Sequence, residues 1–300
     1  MDYWKAGGPG LLTRVAASRL VELLHPVLPP VTYMTVGMML RLGYWPHIAN
    51  PRSFNEKIVH RQLFAPHPLA SILADKWRVR QYVAERVSED ILNEVCFVTD
   101  DPERIPFDDL PDRFVIKANH GSGWIVFVKD KQALDRQKVV RLCRKWLSLK
   151  YSKVAHGYET HYDSIPPLII VERYIQEGGL DVPVDYKFFC FHRTVHLIQV
   201  NSGRFTRHYE NYMDREWKDT GAMQPEWIEL PRREVIPRPP RLAGMIQIAE
   251  RLSGDLDFCR VDLYAPDPGR ILFGEITLSP VGGLGRLVPR DWDFRLGELW

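Results

Sequence analysis

Cysteine is scarce in this chain of 300 residues, which has only four: Cys96, Cys143, Cys190 and Cys259. No two of them form a CxxC pair, and three lie within apolar runs. A thiol in such a run behaves as a small buried hydrophobic group. We therefore expect four reduced thiols and a cytoplasmic protein rather than a secreted one held by disulfides.

An excess of charge of one sign is also missing, because 40 basic residues nearly balance 38 acidic ones and leave a net charge of +2. This balance gives no reason to expect a nucleic-acid partner. No apolar run is long enough to cross a bilayer, and the N-terminus lacks the pattern of a secretory signal. The apolar, proline-interrupted segment 20–42 either contacts a membrane peripherally or packs against the rest of the protein, which we favour.

The length of the chain favours two or three lobes over a single core. Helical and strand patterns predict a helical N-terminal segment, a small lobe and a larger lobe rich in antiparallel strands, so the predicted class is α+β. We place these three parts at residues 1–70, 71–172 and 173–300.

Two helices have clear start signals in the sequence. Ser53 and Glu56 form a capping box that opens a helix at Phe54. Asp75 is a plausible N-cap for a second helix over residues 74–85. Further helices are predicted over 133–149 and 241–252.

Two short β-prone runs near the C-terminus predict a hairpin, because the residues between them are typical of a turn. If the turn is centred between Pro268 and Gly269, Asp262 lies opposite Glu275 and Arg260 lies opposite Thr277. Facing carboxylates repel, so we expect a cation between them, and paired oxygen ligands suit Mg²⁺. A solvated outer face is the alternative, which the apolar neighbours disfavour. The two runs are 258–264 and 271–277.

A glycine loop follows the apolar strand that ends at Lys117, with the sequence His120-Gly121-Ser122-Gly123. Backbone N–H groups of such a loop can converge on phosphate oxygens, and a lysine supplies a point charge to the same phosphates. A plain hairpin turn with an edge-strand lysine is the alternative.

Two further strands carry charged residues of interest. An apolar strand runs into Glu172 and suits the edge of an adenine ring, although a buried strand that ends at the surface is the better description of that segment taken alone. Asp185 and Lys187 project from one strand face, so a carboxylate for ribose and a cation for phosphate would share a cleft. The alternative is an exposed ion pair of little energetic value.

The motifs, taken in their order along the chain, resemble those of the ATP-grasp superfamily. More specific phrases resemble its branch of TupA-like ATP-grasp proteins, which are encoded among bacterial surface-polysaccharide genes. The resemblance spans roughly residues 40–295. The phrases are Gly43-Tyr44, Pro51-x-x-Phe-Asn-Glu-Lys57, Ala74-Asp-Lys-x-x-x-Arg80, Ile116-Lys-x-Asn-His-Gly-Ser-Gly123, Asp185-Tyr-Lys-Phe-Phe-Cys-Phe191, Phe258-x-Arg-Val-Asp-Leu-Tyr264 and Gly274-Glu-Ile-Thr277.

The resemblance implies an ATP-grasp fold, in which two α+β lobes with antiparallel sheets clasp ATP. It assigns phosphate contacts to two lysines, a mobile lid to the glycine loop, adenine and ribose contacts to the following strands, and Mg²⁺ to the C-terminal hairpin. Many relatives carry asparagine where Thr277 stands, yet a threonine hydroxyl can also ligate a metal or orient a water. The implied ATP-binding residues are Lys76, Lys117, His120, Gly121, Ser122, Gly123, Glu172, Ile175 through its backbone, and Asp185; the implied metal-binding residues are Asp262, Glu275 and Thr277.

The function so implied is an ATP- and Mg²⁺-dependent ligase that joins a carboxylate to an amine through an acylphosphate. Arg260 and Lys187 would offset the charge that develops during phosphoryl transfer. The resemblance implies a uronic acid or other carboxylate of a cell-surface glycan, or its precursor, as acceptor and an amino acid as amine. A kinase, a nucleotide-binding protein without turnover and a glycosyltransferase are alternatives, the last disfavoured because no convincing Asp-x-Asp motif is present.

Overall fold

The structure, a computed structural model, describes residues 17–18, 21–22, 25, 27–154, 158–177, 183–203, 208–225, 233 and 235–300. Over these ranges the chain forms two antiparallel sheets, with helices before, between and after their strands. This architecture confirms the predicted α+β class. Much of the first 26 residues of the predicted helical segment 1–70 lies outside the described ranges.

Helices are numbered here from the first one whose bounds the structure gives. They are α1 (Pro30–Leu42), α2 (Phe54–Phe64), α3 (Ala70–Ala74), α4 (Val79–Arg86), α5 (Arg136–Leu147), α6 (Tyr151–Val154), α7 (Leu242–Ser253) and α8 (Asp291–Glu298).

The first four strands along the chain form one sheet, and the last five form another. They are β1 (Val95–Thr99), β2 (Phe114–Ala118), β3 (Ile125–Val128), β4 (Ile169–Arg173), β5 (Asp185–Phe191), β6 (Thr194–Ser202), β7 (Tyr209–Met213), β8 (Phe258–Asp267) and β9 (Arg270–Thr277).

The smaller sheet has the order β1–β4–β2–β3, and each neighbouring pair is antiparallel. One of its faces packs against α5, whose buried residues repeat at helical spacing: Val139, Val140, Cys143 and Trp146. Asp135 caps α5 by accepting a hydrogen bond from the backbone N–H of Lys138. The predicted helix over 133–149 therefore exists with slightly shorter bounds.

The larger sheet has the order β7–β6–β5–β8–β9, again antiparallel throughout. One face packs against α7 and also against α3 and α4, which precede the smaller sheet in the sequence. This packing ties residues 70–83 to the larger sheet. The division of the chain at residues 71 and 173 stays a prediction.

The opposite face of the larger sheet changes character along each strand. On β5, Asp185 and Lys187 alternate with core residues at one end, and Phe189 and Phe191 continue the same face at the other. The aromatic end is covered by α2 and α8 through contacts that include Phe54. The polar end is left to line a cleft.

The predicted capping box of α2 is confirmed. The Ser53 hydroxyl accepts from the Glu56 N–H, and Glu56 Oε2 accepts from the Ser53 N–H at 2.9 Å. The same carboxylate also accepts from the His47 N–H, and Lys57 donates to the Gly297 carbonyl at 2.9 Å. The segment 51–57 therefore holds α2 to the preceding loop and to the C-terminal helix.

The predicted helix over 74–85 starts later, at Val79, but Asp75 makes the hydrogen bonds predicted of an N-cap. Its backbone is extended, its Oδ1 accepts from the N–H groups of Trp77 and Arg78, and its carbonyl accepts from the N–H of Val79. The Asn119 amide donates to the same Oδ1 at 2.9 Å. Asp75 therefore caps the turn that leads into α4, and a tertiary contact holds its side chain.

The predicted register of the C-terminal hairpin is confirmed, since Asp262 pairs with Glu275 and Arg260 with Thr277. A bulge follows at Gly274, so Leu263 pairs with Phe273 and both pack in the core of the larger sheet. A Cβ at Gly274 would lie 3.0 Å from the carbonyl oxygen of Asp262, which explains the glycine.

All four cysteines are free thiols, as predicted. Among the described residues, no helix combines the length and apolar character needed to cross a membrane. Helix α1, within the apolar segment 20–42, buries Met34 and Met38 against Val59 of α2.

Candidate functional site

A cleft of about 940 Å³ opens between the two sheets. This volume is within the range of about 300–1,000 Å³ that ligand sites occupy. Strands of the smaller sheet contribute Lys117 and Glu172 to its lining, and strands of the larger sheet contribute Lys187, Asp262 and Glu275. Ionised side chains of both signs thus meet in one concave space.

Arg260 lies between the two facing carboxylates of the C-terminal hairpin. Its Nε lies 2.7 Å from Asp262 Oδ1, and its Nη2 lies 2.8 Å from Asp262 Oδ2 and 2.7 Å from Glu275 Oε1. Burial alone would lower the pKa of Arg260, but the two carboxylates raise it above its ordinary value. A guanidinium of the chain itself thus lies between these two acids, and their predicted contact with Mg²⁺ stays a prediction.

Lys187 joins Asp262 to a third carboxylate. Its ammonium contacts Asp262 Oδ2 and lies 2.7 Å from Asp185 Oδ2. Burial acts to raise the pKa of Asp262, but the charges of Arg260 and Lys187 outweigh it and hold that pKa below its ordinary value. Asp262 is thus an ionised, fully buried centre for two cations on neighbouring strands.

A second ion pair lies on the smaller sheet, between Lys117 and Glu172, whose Nζ and Oε2 are 2.8 Å apart. Asn93 donates to the same carboxylate oxygen at 3.2 Å. Burial would raise the pKa of Glu172, yet Lys117 holds it below its ordinary value. The two residues therefore occupy adjoining positions on one wall of the cleft.

Lys76 reaches the cleft from the turn between α3 and α4 and donates to the Gly121 carbonyl. Burial lowers the pKa of this ammonium, and the charge of Glu275 opposes the lowering. Lys76 thus fixes the start of the glycine loop and lies within electrostatic reach of the opposite sheet.

The glycine loop joins β2 to β3 and contains two glycines with different requirements. A Cβ at Gly121 would lie 2.7 Å from a ring carbon of Trp124 and 2.9 Å from one of Tyr151. Gly123 has φ +74°, a left-handed conformation that favours glycine, with open space around its Cα. The mobility of this loop as a lid stays a prediction.

His120 does not line the cleft, contrary to its predicted place among the ATP-binding residues. It is 2% exposed, its Nε2 lies 3.1 Å from the Trp146 carbonyl and its Nδ1 lies 3.1 Å from Asn119 Oδ1. The ring therefore fastens the glycine loop to α5. Gly121 is likewise absent from the lining, because Trp124 and Tyr151 cover it.

The structure brings together the other residues that the sequence singled out, although their ligand roles stay predictions. Those that line the cleft are Lys76, Lys117, Ser122, Gly123, Glu172, Ile175, Asp185, Lys187, Arg260, Asp262, Glu275 and Thr277.

Sequence reasoning missed a row of polar residues on β6 and β7. Gln199 and Asn201 are buried on the cleft face, and Gln199 Nε2 donates to Glu210 Oε2 at 2.7 Å. Their alternation with Ile198 and Val200 was the available signal, since a period of two marks a strand with two different faces.

Sequence reasoning also missed Glu159, Tyr162 and Ser279, which line the cleft near Glu275. Glu159 Oε1 accepts from the Ser279 hydroxyl at 2.7 Å. These residues lie outside regular strands, so no periodicity marked them.

The described residues include no group of three or more His, Cys, Asp or Glu side chains arranged to hold a metal ion. Asp262, Glu275 and Thr277 offer two carboxylates and a hydroxyl instead. This donor set fits Mg²⁺, which commonly binds one or two carboxylates and completes its shell with water and substrate phosphates.

A family model described as TupA-like ATPgrasp matches residues 56–300. No curated protein matches the sequence.

Among solved structures, D-alanine–D-alanine ligase from Bacillus anthracis complexed with ATP is 16% identical, with a TM-score of 0.45 over 77% of this chain and 65% of that one. The ATP-grasp ligase PsnB complexed with a minimal precursor is 14% identical, with a TM-score of 0.40 over 83% and 62%. N5-carboxyaminoimidazole synthetase from Staphylococcus aureus complexed with ADP is 10% identical, with a TM-score of 0.42 over 70% and 45%. The chain thus spans less than two thirds of the length of each.

Proposed function

The chain belongs to the TupA-like ATP-grasp family, and from that premise we propose that it is an ATP- and Mg²⁺-dependent ligase joining a carboxylate to an amine. The family match also confirms the predicted ATP-grasp fold. The observation that carries the proposal is the row of interleaved cations and carboxylates facing one cleft, centred on Arg260, Asp262 and Lys187. The cations suit phosphates, and the carboxylates suit a metal ion and ribose hydroxyls.

In this proposal the nucleotide spans the cleft from the smaller sheet to the larger one. Glu172 and the backbone of Ile175 take the adenine edge, and Asp185 takes the ribose. Lys76 and Lys117 hold the phosphates, as compact charges at one wall of the cleft. Ser122 and Gly123 cover the phosphates from the glycine loop.

Asp262, Glu275 and Thr277 are the residues that would hold Mg²⁺. When bound, the ion would offset the negative charge of the phosphates. A nitrogen of Arg260 lies 2.7 Å from an oxygen of each carboxylate, and the guanidinium helps to hold the pKa of Asp262 below its ordinary value. The protein therefore contributes orientation and charge without forming a complete metal cage of its own.

The proposed reaction has two steps. A substrate carboxylate oxygen attacks the γ-phosphorus, the bond between that phosphorus and the β–γ bridging oxygen breaks, and ADP leaves. The amine then attacks the acyl carbon, the bond to the phosphate oxygen breaks, and phosphate leaves as the nitrogen loses a proton. Arg260 and Lys187 stabilise the negative charge of the transferring group. A closed glycine loop excludes water, which would hydrolyse the acylphosphate.

The substrate classes follow from the family resemblance of the sequence and are part of the proposal. The carboxylate belongs to a uronic acid or another acidic unit of a cell-surface polysaccharide or its precursor, and the amine belongs to an amino acid.

ADP release measured across a panel of uronic acids and amino acids tests this function. Hydroxylamine in place of the amine traps an acylphosphate as a hydroxamate, which identifies the activated carboxylate before its partner is known. Asp262→Asn should abolish the signal, while Glu298→Gln, on the exposed face of α8, should not change it. A stable phosphorylated product formed without any amine would instead indicate a kinase.

A further inference from the structure

Glu159 differs from the other acids of the cleft in its partners. Four neighbouring carboxylates have a cationic partner within 2.8 Å: Glu172, Asp185, Asp262 and Glu275. Glu159 forms no ion pair with any residue in the described ranges, and its recorded hydrogen bond comes from the neutral hydroxyl of Ser279. It is therefore a carboxylate facing the cleft without a charge partner in the part of the chain described.

The surroundings of Glu159 leave this charge poorly compensated. Burial raises its pKa to about 7; the Ser279 hydrogen bond and Arg260 act to lower it, and Glu275 acts to raise it. Its second oxygen lies 4.0 Å from the position that a Cβ of Gly282 would take, and Gly282 has φ +60°. The glycine thus leaves that oxygen open to an approaching group.

Two tyrosine rings lie within electrostatic reach of this carboxylate. Tyr151 and Tyr162 line the same part of the cleft with ring centroids 4.6 Å apart. Burial raises the pKa of both phenols, and the charge of Glu159 adds to the rise. Carboxylate oxygens together with aromatic faces suit an organic ammonium, because the ammonium donates hydrogen bonds and is attracted to ring faces. A hydrated Mg²⁺ gains nothing from the rings.

The position of Glu159 matches what the second substrate of the proposed ligase requires. The charge of Glu159 interacts with both Glu275 and Arg260, which stand at the proposed site of phosphoryl transfer. An amine bound there would lie on the side of the cleft where phosphoryl transfer is proposed, and it would release its ammonium proton before it attacks the acyl carbon. The amine is protonated in water near neutral pH, so a carboxylate is the natural group to receive it.

We propose that Glu159 and Ser279, beside the rings of Tyr151 and Tyr162, form the subsite that binds the protonated amine of the co-substrate. This assignment rests on the proposed function for its place in the reaction. It concerns binding of a primary ammonium group and assigns no proton transfer to Glu159.

A binding measurement tests the subsite without any turnover. Methylammonium chloride should raise the Tm of the wild-type protein at pH 8 more than tetramethylammonium chloride at the same concentration, since only the former has N–H donors. Glu159→Gln should remove this difference, and Glu298→Gln should keep it. Equal shifts for the two salts in the wild type overturn the subsite, whether or not the protein proves to be a ligase.

A kinetic measurement then tests its role in ligation. For Glu159→Gln, the ratio of kcat/KM for a cationic amine to that for hydroxylamine, which is uncharged at pH 8, should fall by about tenfold or more. Ser279→Ala should lower the same ratio by a smaller factor, and ATP affinity in calorimetry should show that the Glu159 variant is folded. An unchanged ratio overturns the assignment and favours a structural role for Glu159. A substitution whose only effect is to raise the Mg²⁺ concentration required for activity also overturns it and favours a metal-binding role. Failure of the proposed function shows itself differently, as absence of hydroxamate from the wild-type enzyme with every acid.

Discussion

Replacing Glu159 with glutamine should make the protein more stable at alkaline pH and leave its stability nearly unchanged in acid. Glutamine has almost the same shape, keeps an oxygen to accept from Ser279 and carries no charge. The variant therefore removes the uncompensated charge of Glu159 with little change in packing.

The magnitude follows from the pKa of the carboxyl group in the two states. Burial raises this pKa from its ordinary value of 4.5 to about 7 in the folded protein. One pKa unit corresponds to about 1.4 kcal/mol, so the folded wild type loses about 3 kcal/mol relative to the variant once the pH exceeds the folded pKa. Because the folded pKa is the higher one, the penalty is absent below the unfolded pKa and grows as the pH rises through the folded value.

Thermal unfolding of both proteins near pH 5 and near pH 8 measures this effect. A chain of this size gains about 2 °C in Tm per kcal/mol, so the variant should melt about 6 °C above the wild type near pH 8 and within about 2 °C of it near pH 5. Glu275 and Arg260 are the charged groups that contribute to the pKa shift of Glu159, and neither is changed by the substitution. A stability difference that is the same at both pH values would refute the claim that Glu159 is desolvated and unpaired.

Three further outcomes test other parts of the cleft. Asp262→Asn should abolish ATP turnover and also lower the free energy of unfolding by about 3–5 kcal/mol, because it leaves two buried cations short of an anion; a wild-type unfolding curve would contradict this. Lys117→Met should weaken ATP binding by about tenfold or more in calorimetry. Lys138→Met, on the exposed side of α5, is its control. Equal ATP affinities of the Lys117 variant and the wild type would indicate a structural role for Lys117. Amide hydrogen exchange over residues 119–124 should slow on addition of Mg-ATP as the glycine loop closes, and equally slow exchange without nucleotide would identify a static turn.

Much of the fold was predictable because its signals are local. Helix α2 begins where Ser53 and Glu56 satisfy each other's backbone N–H groups, and such a box acts within four residues. The pairing of Asp262 with Glu275 follows from the position of one turn, because a hairpin turn sets the register of both strands. The bulge at Gly274 was not predicted, since it depends on how Phe273 fits the core.

The places where prediction failed involve partners far away in the sequence. Asp75 makes the local bonds of an N-cap, but its bond from Asn119, 44 positions away, and the later start of α4 at Val79 were not predicted. His120 sits in a glycine loop typical of phosphate sites, yet α5 approaches from behind and occupies its ring nitrogens. Local chemistry could not show either contact, because each exists only once separate elements have packed.

The sequence by itself determined which strands carry charged residues and which faces those residues share, since strand geometry fixes alternation. Only the tertiary structure decided how the charges are paired. It placed Arg260 between Asp262 and Glu275, brought Lys187 across from the neighbouring strand, and left Glu159 facing the cleft with a neutral hydroxyl as its recorded hydrogen-bond partner. The physical reason is that ionic interactions depend on distances of a few ångströms between side chains, and packing the two sheets around one cleft sets those distances.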